Sequence, residues 1–105
     1  MPDTLSLDPR LLRGAATAAV ADLKLLANED RLLLLCQLSL GERCVSELET
    51  ALDIRQPTLS QQLAVLRNEG AVATRREGKN IYYRIARHEL LDILPVLYRL
   101  YCPQE

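Results

Sequence analysis

Residues 46–70 read SELETALDIRQPTLSQQLAVLRNEG, and the parsing of this stretch decides the fold of the whole chain. Ser46–Leu52 is expected to be a short helix, with Ser46 as N-cap and a Ser-x-x-Glu capping box closed by Glu49. Asp53-Ile54-Arg55 is a three-residue break. Gln56–Glu69 is then a second helix. Pro57 suits its first turn, Leu59, Leu63 and Leu66 recur at i, i+4 and i+7, and Gly70 suits the left-handed position after its end. Two helices joined by so short a turn predict a helix-turn-helix over about 46–69.

Beyond Gly70 the period changes. Ala71–Arg76 and Asn80–Ile85 are strand-like, with Val72/Thr74 and Ile81/Tyr83/Ile85 alternating, and Glu77-Gly78-Lys79 supplies the turn. The hairpin, about 71–85, is the wing. Upstream, Asp8-Pro9 starts a helix over Pro9–Leu26, in which Leu12, Ala16, Ala19/Val20, Leu23 and Leu26 recur at helical spacing. Its small-residue middle, Gly14 to Ala19, admits close approach of another helix. A further helix is capped by Asn28, carries Glu29 and Asp30 in its first turn, runs through Leu32–Leu38 and stops at Gly41. It is apolar nearly all round, so it belongs at the centre. A last helix over about 87–101 sets Leu90, Leu94, Leu97 and Tyr101 on one face, and Pro95 inside it predicts a kink. The expected fold is mainly α with a small β-hairpin, a winged helix-turn-helix ordered α1-α2-α3-α4-β-β-α5.

The composition agrees. One hundred and five residues make a single domain, 1–105, and 49% hydrophobic with 26% charged residues is the balance of a folded globular chain. Phe and Trp are absent and Tyr occurs four times, so the core must be aliphatic, which suits helix packed on helix. The longest apolar run, Leu32–Cys36, is far from a membrane span of about 18–20 residues. With no export signal at the N-terminus, a cytoplasmic location and no membrane partner are expected. The net charge of −1 argues against a nucleic-acid partner until it is divided. Residues 1–54 hold five Lys/Arg against nine Asp/Glu, whereas 55–105 hold eight against five. Within 55–87 alone, Arg55, Arg67, Arg75, Arg76, Lys79, Arg84 and Arg87 face only Glu69 and Glu77, a local footprint for phosphates.

The helix over 56–69 turns Gln56, Thr58, Ser60, Gln61, Gln62 and Arg67 away from its leucine face. Amides and hydroxyls of this kind pair with bases or phosphates, whereas an ordinary solvated face carries more Glu and Lys. Arg75, Arg76, Lys79 and Arg84 place cations on the hairpin, where a wing meets backbone or minor groove. Chemistry of an enzymatic kind has no support: His88 is the only histidine, no nucleophile–base or paired-carboxylate set can be assembled around it, and no Gly-rich phosphate loop exists. No cofactor is expected. The competing reading is a winged helix that binds protein rather than DNA.

The segments 23–32, 45–48, 56–63, 66–70 and 75–79 together resemble bacterial repressors of the ArsR/SmtB family, and the likeness covers nearly the whole chain. It implies a homodimer joined through the first and last helices, about 9–26 and 87–101, that binds palindromic operator DNA and releases it when an inducer is sensed. Metal sensing is the first test within such a family. The third-helix metal motif Cys-Val-Cys-Asp is matched by Cys44-Val45-Ser46-Glu47, which lacks one thiolate, and the last-helix zinc motif needs more histidine than this chain has. No metal is expected, and a metal-responsive or non-redox repressor remains the alternative. Cys36, in Leu35-Cys36-Gln37-Leu38, and Cys102, after Leu100-Tyr101, are similar to the thiol pair of the BigR/SqrR/HlyU/YgaV branch. By that resemblance they are sensor thiols that join through a disulfide or polysulfide bridge under reactive sulfur species or oxidants, weakening DNA binding. Taken alone, Cys36 reads as a small buried hydrophobe and Cys102 as an inert terminal thiol. Cys44 fits no such pattern and is expected to be a dispensable loop thiol.

Overall fold

The helix ends form where the capping chemistry puts them. In the computed structural model, which describes residues 8–103, Asp8 Oδ1 accepts from the Arg10 backbone N–H at 2.9 Å and opens α1 (Pro9–Leu26). Asn28 Oδ1 accepts from the Arg31 N–H at 3.0 Å and opens α2 (Glu29–Leu38). A short strand β1 (Arg43–Cys44) leads into α3 (Val45–Leu52) and α4 (Gln56–Asn68). The turn between α3 and α4 rests on Asp53 at φ 55°, a left-handed conformation that a short polar side chain tolerates. Gly70, at φ 76°, ends α4 and releases the chain into β2 (Val72–Glu77), β3 (Asn80–Ile85) and finally α5 (His88–Tyr101). The result is the expected winged helix-turn-helix.

Four local expectations are corrected. α3 is capped by Cys44, not Ser46: the Cys44 N–H donates to Glu47 Oε1 at 2.9 Å, so the box lies two residues earlier than the Ser46/Glu49 reading. The cause is tertiary. β1 pairs with β3 (Arg43 opposite Tyr83, Cys44 opposite Tyr82), and the pairing holds Cys44 extended where the helix begins. That same pairing makes the sheet three-stranded, in the order β1-β3-β2, rather than a lone hairpin. It also removes Cys44 from any loop, since the residue is buried and its Sγ lies 3.3 Å from Ser46 Oγ. The hairpin turn is tighter than expected, because β2 continues through Glu77 and leaves Gly78-Lys79 as the connection. Pro95 sits within a helix that continues through it.

The core is aliphatic. Leu34 and Leu35 of α2, Leu48 of α3, Leu59, Leu63 and Leu66 of α4, and Leu90 and Leu94 of α5 are fully buried, with α2 in the middle. α1 departs from its predicted stripe. Only Asp22, Leu25 and Leu26 are buried, while Leu12, Val20 and Leu23 stand in solvent, as does Tyr101 of the α5 stripe. The Cα radius of gyration, 15.8 Å, exceeds the about 13 Å of a compact domain of this length. Most of the apolar surface of α1 is therefore uncovered.

Candidate nucleic-acid interface and thiol pair

α4 divides into three edges. Leu59, Leu63 and Leu66 fix it to the core. Gln56, Ser60, Gln61 and Arg67 are exposed and Thr58 is half-buried, so five of the six singled-out polar side chains lie on or beside the solvent face. Gln62 differs. It is half-buried, and its Oε1 accepts from Arg31 Nη1 at 3.1 Å.

The wing separates its cations in a similar way. In the β2–β3 register Arg75 stands opposite Tyr82 and Arg76 opposite Ile81, so the two arginines point to opposite faces. Arg75 is engaged within the chain. Its Nη1 donates to Glu77 Oε1 at 2.7 Å, its Nε to Glu42 Oε1 at 2.8 Å, and the guanidinium lies 4.7 Å from the Tyr82 ring centre. Hydrogen bonds donated to Glu77 first and Glu42 second push the Arg75 pKa up, as expected of a cation held between two carboxylates. Arg76, Lys79 and Arg84 are exposed. Glu42, in the loop after α2, is a wing anchor that sequence reasoning missed, because nothing in the order of residues brings it to Arg75.

Cys36 and Cys102, 66 positions apart in sequence, line one groove of about 760 Å³ between α2 and α5. Leu33, Leu91, Pro95 and Tyr98 make much of its wall, and among the described residues Arg99 is the only charged one lining it. All three cysteines are thiols, with Cys36 half-buried, Cys102 exposed and Cys44 buried. Burial pushes the Cys36 thiol pKa up, and a Cys102 thiolate nearby pushes it the same way. Cys102 is thus the more accessible of the two thiols.

Two ionic features had no signal in the sequence. Asp22 on α1, 4% exposed, pairs with Arg87 at the start of α5. Arg31 reaches from α2 to both α1 and α4. Among the described residues no three His, Cys, Asp or Glu side chains gather as a metal site. Nor is any described helix long and apolar enough to cross a membrane.

Residues 28–74 match the model of the bacterial regulatory proteins of the arsR family. The biofilm growth-associated repressor of Agrobacterium fabrum is 52% identical over 97 residues, covering 92% of this chain and 82% of that protein. The transcriptional activator HlyU of Vibrio cholerae is 44% identical over 84 residues, covering 80% of this chain and 78% of its own. Among solved structures, the transcriptional repressor BigR from Xylella fastidiosa superposes with a TM-score of 0.85 at 41% identity, over 93% of this chain and 100% of its own.

Proposed function

Because this chain belongs to the arsR family of bacterial regulatory proteins, we propose that it is a homodimeric, operator-binding repressor switched by oxidation of Cys36 and Cys102. Gln56, Thr58, Ser60, Gln61 and Arg67 read or position the major groove, and Arg76 and Lys79 with Arg84 meet the backbone beside it. Arg75 supports the wing through Glu42 and Glu77, and Gln62 supports the helix through Arg31.

The observation that carries the switch is the shared groove: one thiol on α2 and one at the end of α5 face a single space. Joining them removes two electrons and two protons, accepted by a polysulfide or a peroxide, and a polysulfide also supplies any sulfur atoms inserted in the bridge. Exposed Cys102 attacks first and half-buried Cys36 closes the bridge. The bridge ties the central helix to the last helix and shifts the spacing of the two reading helices from about 34–36 Å, one helical turn of DNA. Affinity then falls by a coupling energy of about 1–3 kcal/mol.

The test is a fluorescence anisotropy titration of duplexes enriched from a random-sequence pool, before and after sodium tetrasulfide or hydrogen peroxide. Cys36→Ser and Cys102→Ser are expected to bind as wild type and to resist release. Mass spectrometry is expected to find a Cys36–Cys102 bridge, with extra sulfur if reactive sulfur is the signal. Release of the double variant by either reagent refutes the sensor.

A further inference from the structure

Gln62 lies on a different edge of α4 from the residues that face solvent. Ser60, Gln61, Ala64, Arg67 and Asn68 are exposed, whereas Gln62 and Val65 are half-buried. Val65 and Glu69, the next positions along the edge that starts at Gln62, line a second groove, of about 770 Å³, whose opposite wall is α1 at Ala16, Thr17, Val20 and Ala21. The Gln62 edge therefore faces α1. Arg31 spans the junction from α2: Nη1 donates to Gln62 Oε1 at 3.1 Å, Nε to the Leu25 carbonyl at 2.9 Å and Nη2 to the Lys24 carbonyl at 3.0 Å. Both carbonyls belong to the last turn of α1, where the helix dipole favours a cation, and the Lys24 carbonyl also accepts from the Ala27 N–H at 3.3 Å. A rigid guanidinium fork can hold all three acceptors together, which a lysine ammonium on a flexible stem does less well.

We infer that Arg31 is the positioning residue of the reading helix, and that Gln62 is the handle by which it is held rather than a base-reading side chain. The inference rests on α4 as the DNA-reading helix. Its consequence is that the orientation of α4 is keyed to the C-terminal turn of α1, the helix whose apolar residues Leu12, Val20 and Leu23 are uncovered. A change in how α1 packs is then transmitted to α4 through one side chain.

The experiment compares wild type, Gln62→Leu, Arg31→Gln and the double variant against duplexes enriched by wild type from a random pool, with each base pair then varied in turn. Titrations are run where every variant is folded, so a merely structural loss of stability does not move them. Each single variant is expected to weaken all duplexes by the same factor, about five- to tenfold, with base preferences unchanged and no further loss in the double variant. Gln62→Glu keeps an oxygen for Arg31 and is expected to restore the thermal midpoint lost in Gln62→Leu. A changed preference at one base pair in Gln62→Leu, or losses that multiply in the double variant, overturns the inference. Should Arg31→Gln fail to fold, the base-preference profile of Gln62→Leu and the Gln62→Glu rescue decide by themselves. Wild type that enriches no sequence refutes the DNA reading itself, and that result precedes any variant.

Discussion

Arg31 follows Asp30 and Arg87 stands between Ala86 and His88, surroundings with nothing in common, yet the fold gives both internal work. Arg87 neutralises Asp22, and a carboxylate that is 4% exposed cannot turn to water if its partner is removed. Arg87→Ala is therefore expected to lower stability by about 2 kcal/mol in urea unfolding. This is less than the about 3–5 kcal/mol of a wholly enclosed pair, because the Arg87 side chain is 30% exposed. Asp22→Asn is expected to cost less, since the orphaned guanidinium can reach solvent. Glu47 gives a pH-dependent prediction. Hydrogen bonds from Cys44, its backbone N–H first, hold the Glu47 carboxyl below the usual carboxylate range. A depressed pKa stabilises the folded state above the unfolded value, and the contribution disappears as pH falls through the folded one. Glu47→Ala should thus melt below wild type at neutral pH, and the gap should close in acid; a gap that persists at low pH contradicts the cap.

Among the elements, α4 and the wing show how far pattern goes. The leucine spacing 59-63-66 set the buried face of α4 correctly, and the polar remainder followed from it. The pattern could not separate Gln62 from Gln61, because adjacent amides differ only in whether they meet a neighbouring helix or solvent. For the wing, alternation placed the strands, but the engagement of Arg75 by Glu42 depends on a loop 33 residues away. Arg76→Ala and Lys79→Ala are each expected to weaken all duplexes alike and to lower the salt dependence of DNA binding by about one unit of slope. Arg75→Ala, whose charge is already met by two carboxylates, is expected to change that slope less. Equal slopes for all three variants would show that the Arg75 pairs open on DNA. The cap of α3 teaches the same lesson: Ser46-x-x-Glu49 and Cys44-x-x-Glu47 both present a carboxylate at the right spacing, and the strand pairing of Cys44 chose between them.

For the molecule as a whole, the uncovered faces of α1 and α5 are the main unbalanced term. Leu11 is 74% exposed and Tyr101 79%, with Leu12, Leu23, Tyr98 and Leu100 also in solvent, on a chain more extended than its length requires. Leu23→Asp is expected to leave a folded monomer by circular dichroism and sedimentation and to abolish operator binding; a dimer that survives it places the interface elsewhere. By itself, the sequence determined what depends on neighbours a few residues apart: the helix periods, the Asp8 and Asn28 caps, the turn at Gly70, the aliphatic core and the basic half of the chain. Tertiary structure decided what depends on residues far apart in the chain. It brought Cys36 and Cys102 to one groove, buried Cys44, paired Asp22 with Arg87, and spent Gln62 and Arg75 on Arg31 and Glu42. The reason is one of range: caps and periodicities are set within a turn or two of backbone, whereas side-chain partners across elements are set only when the core closes.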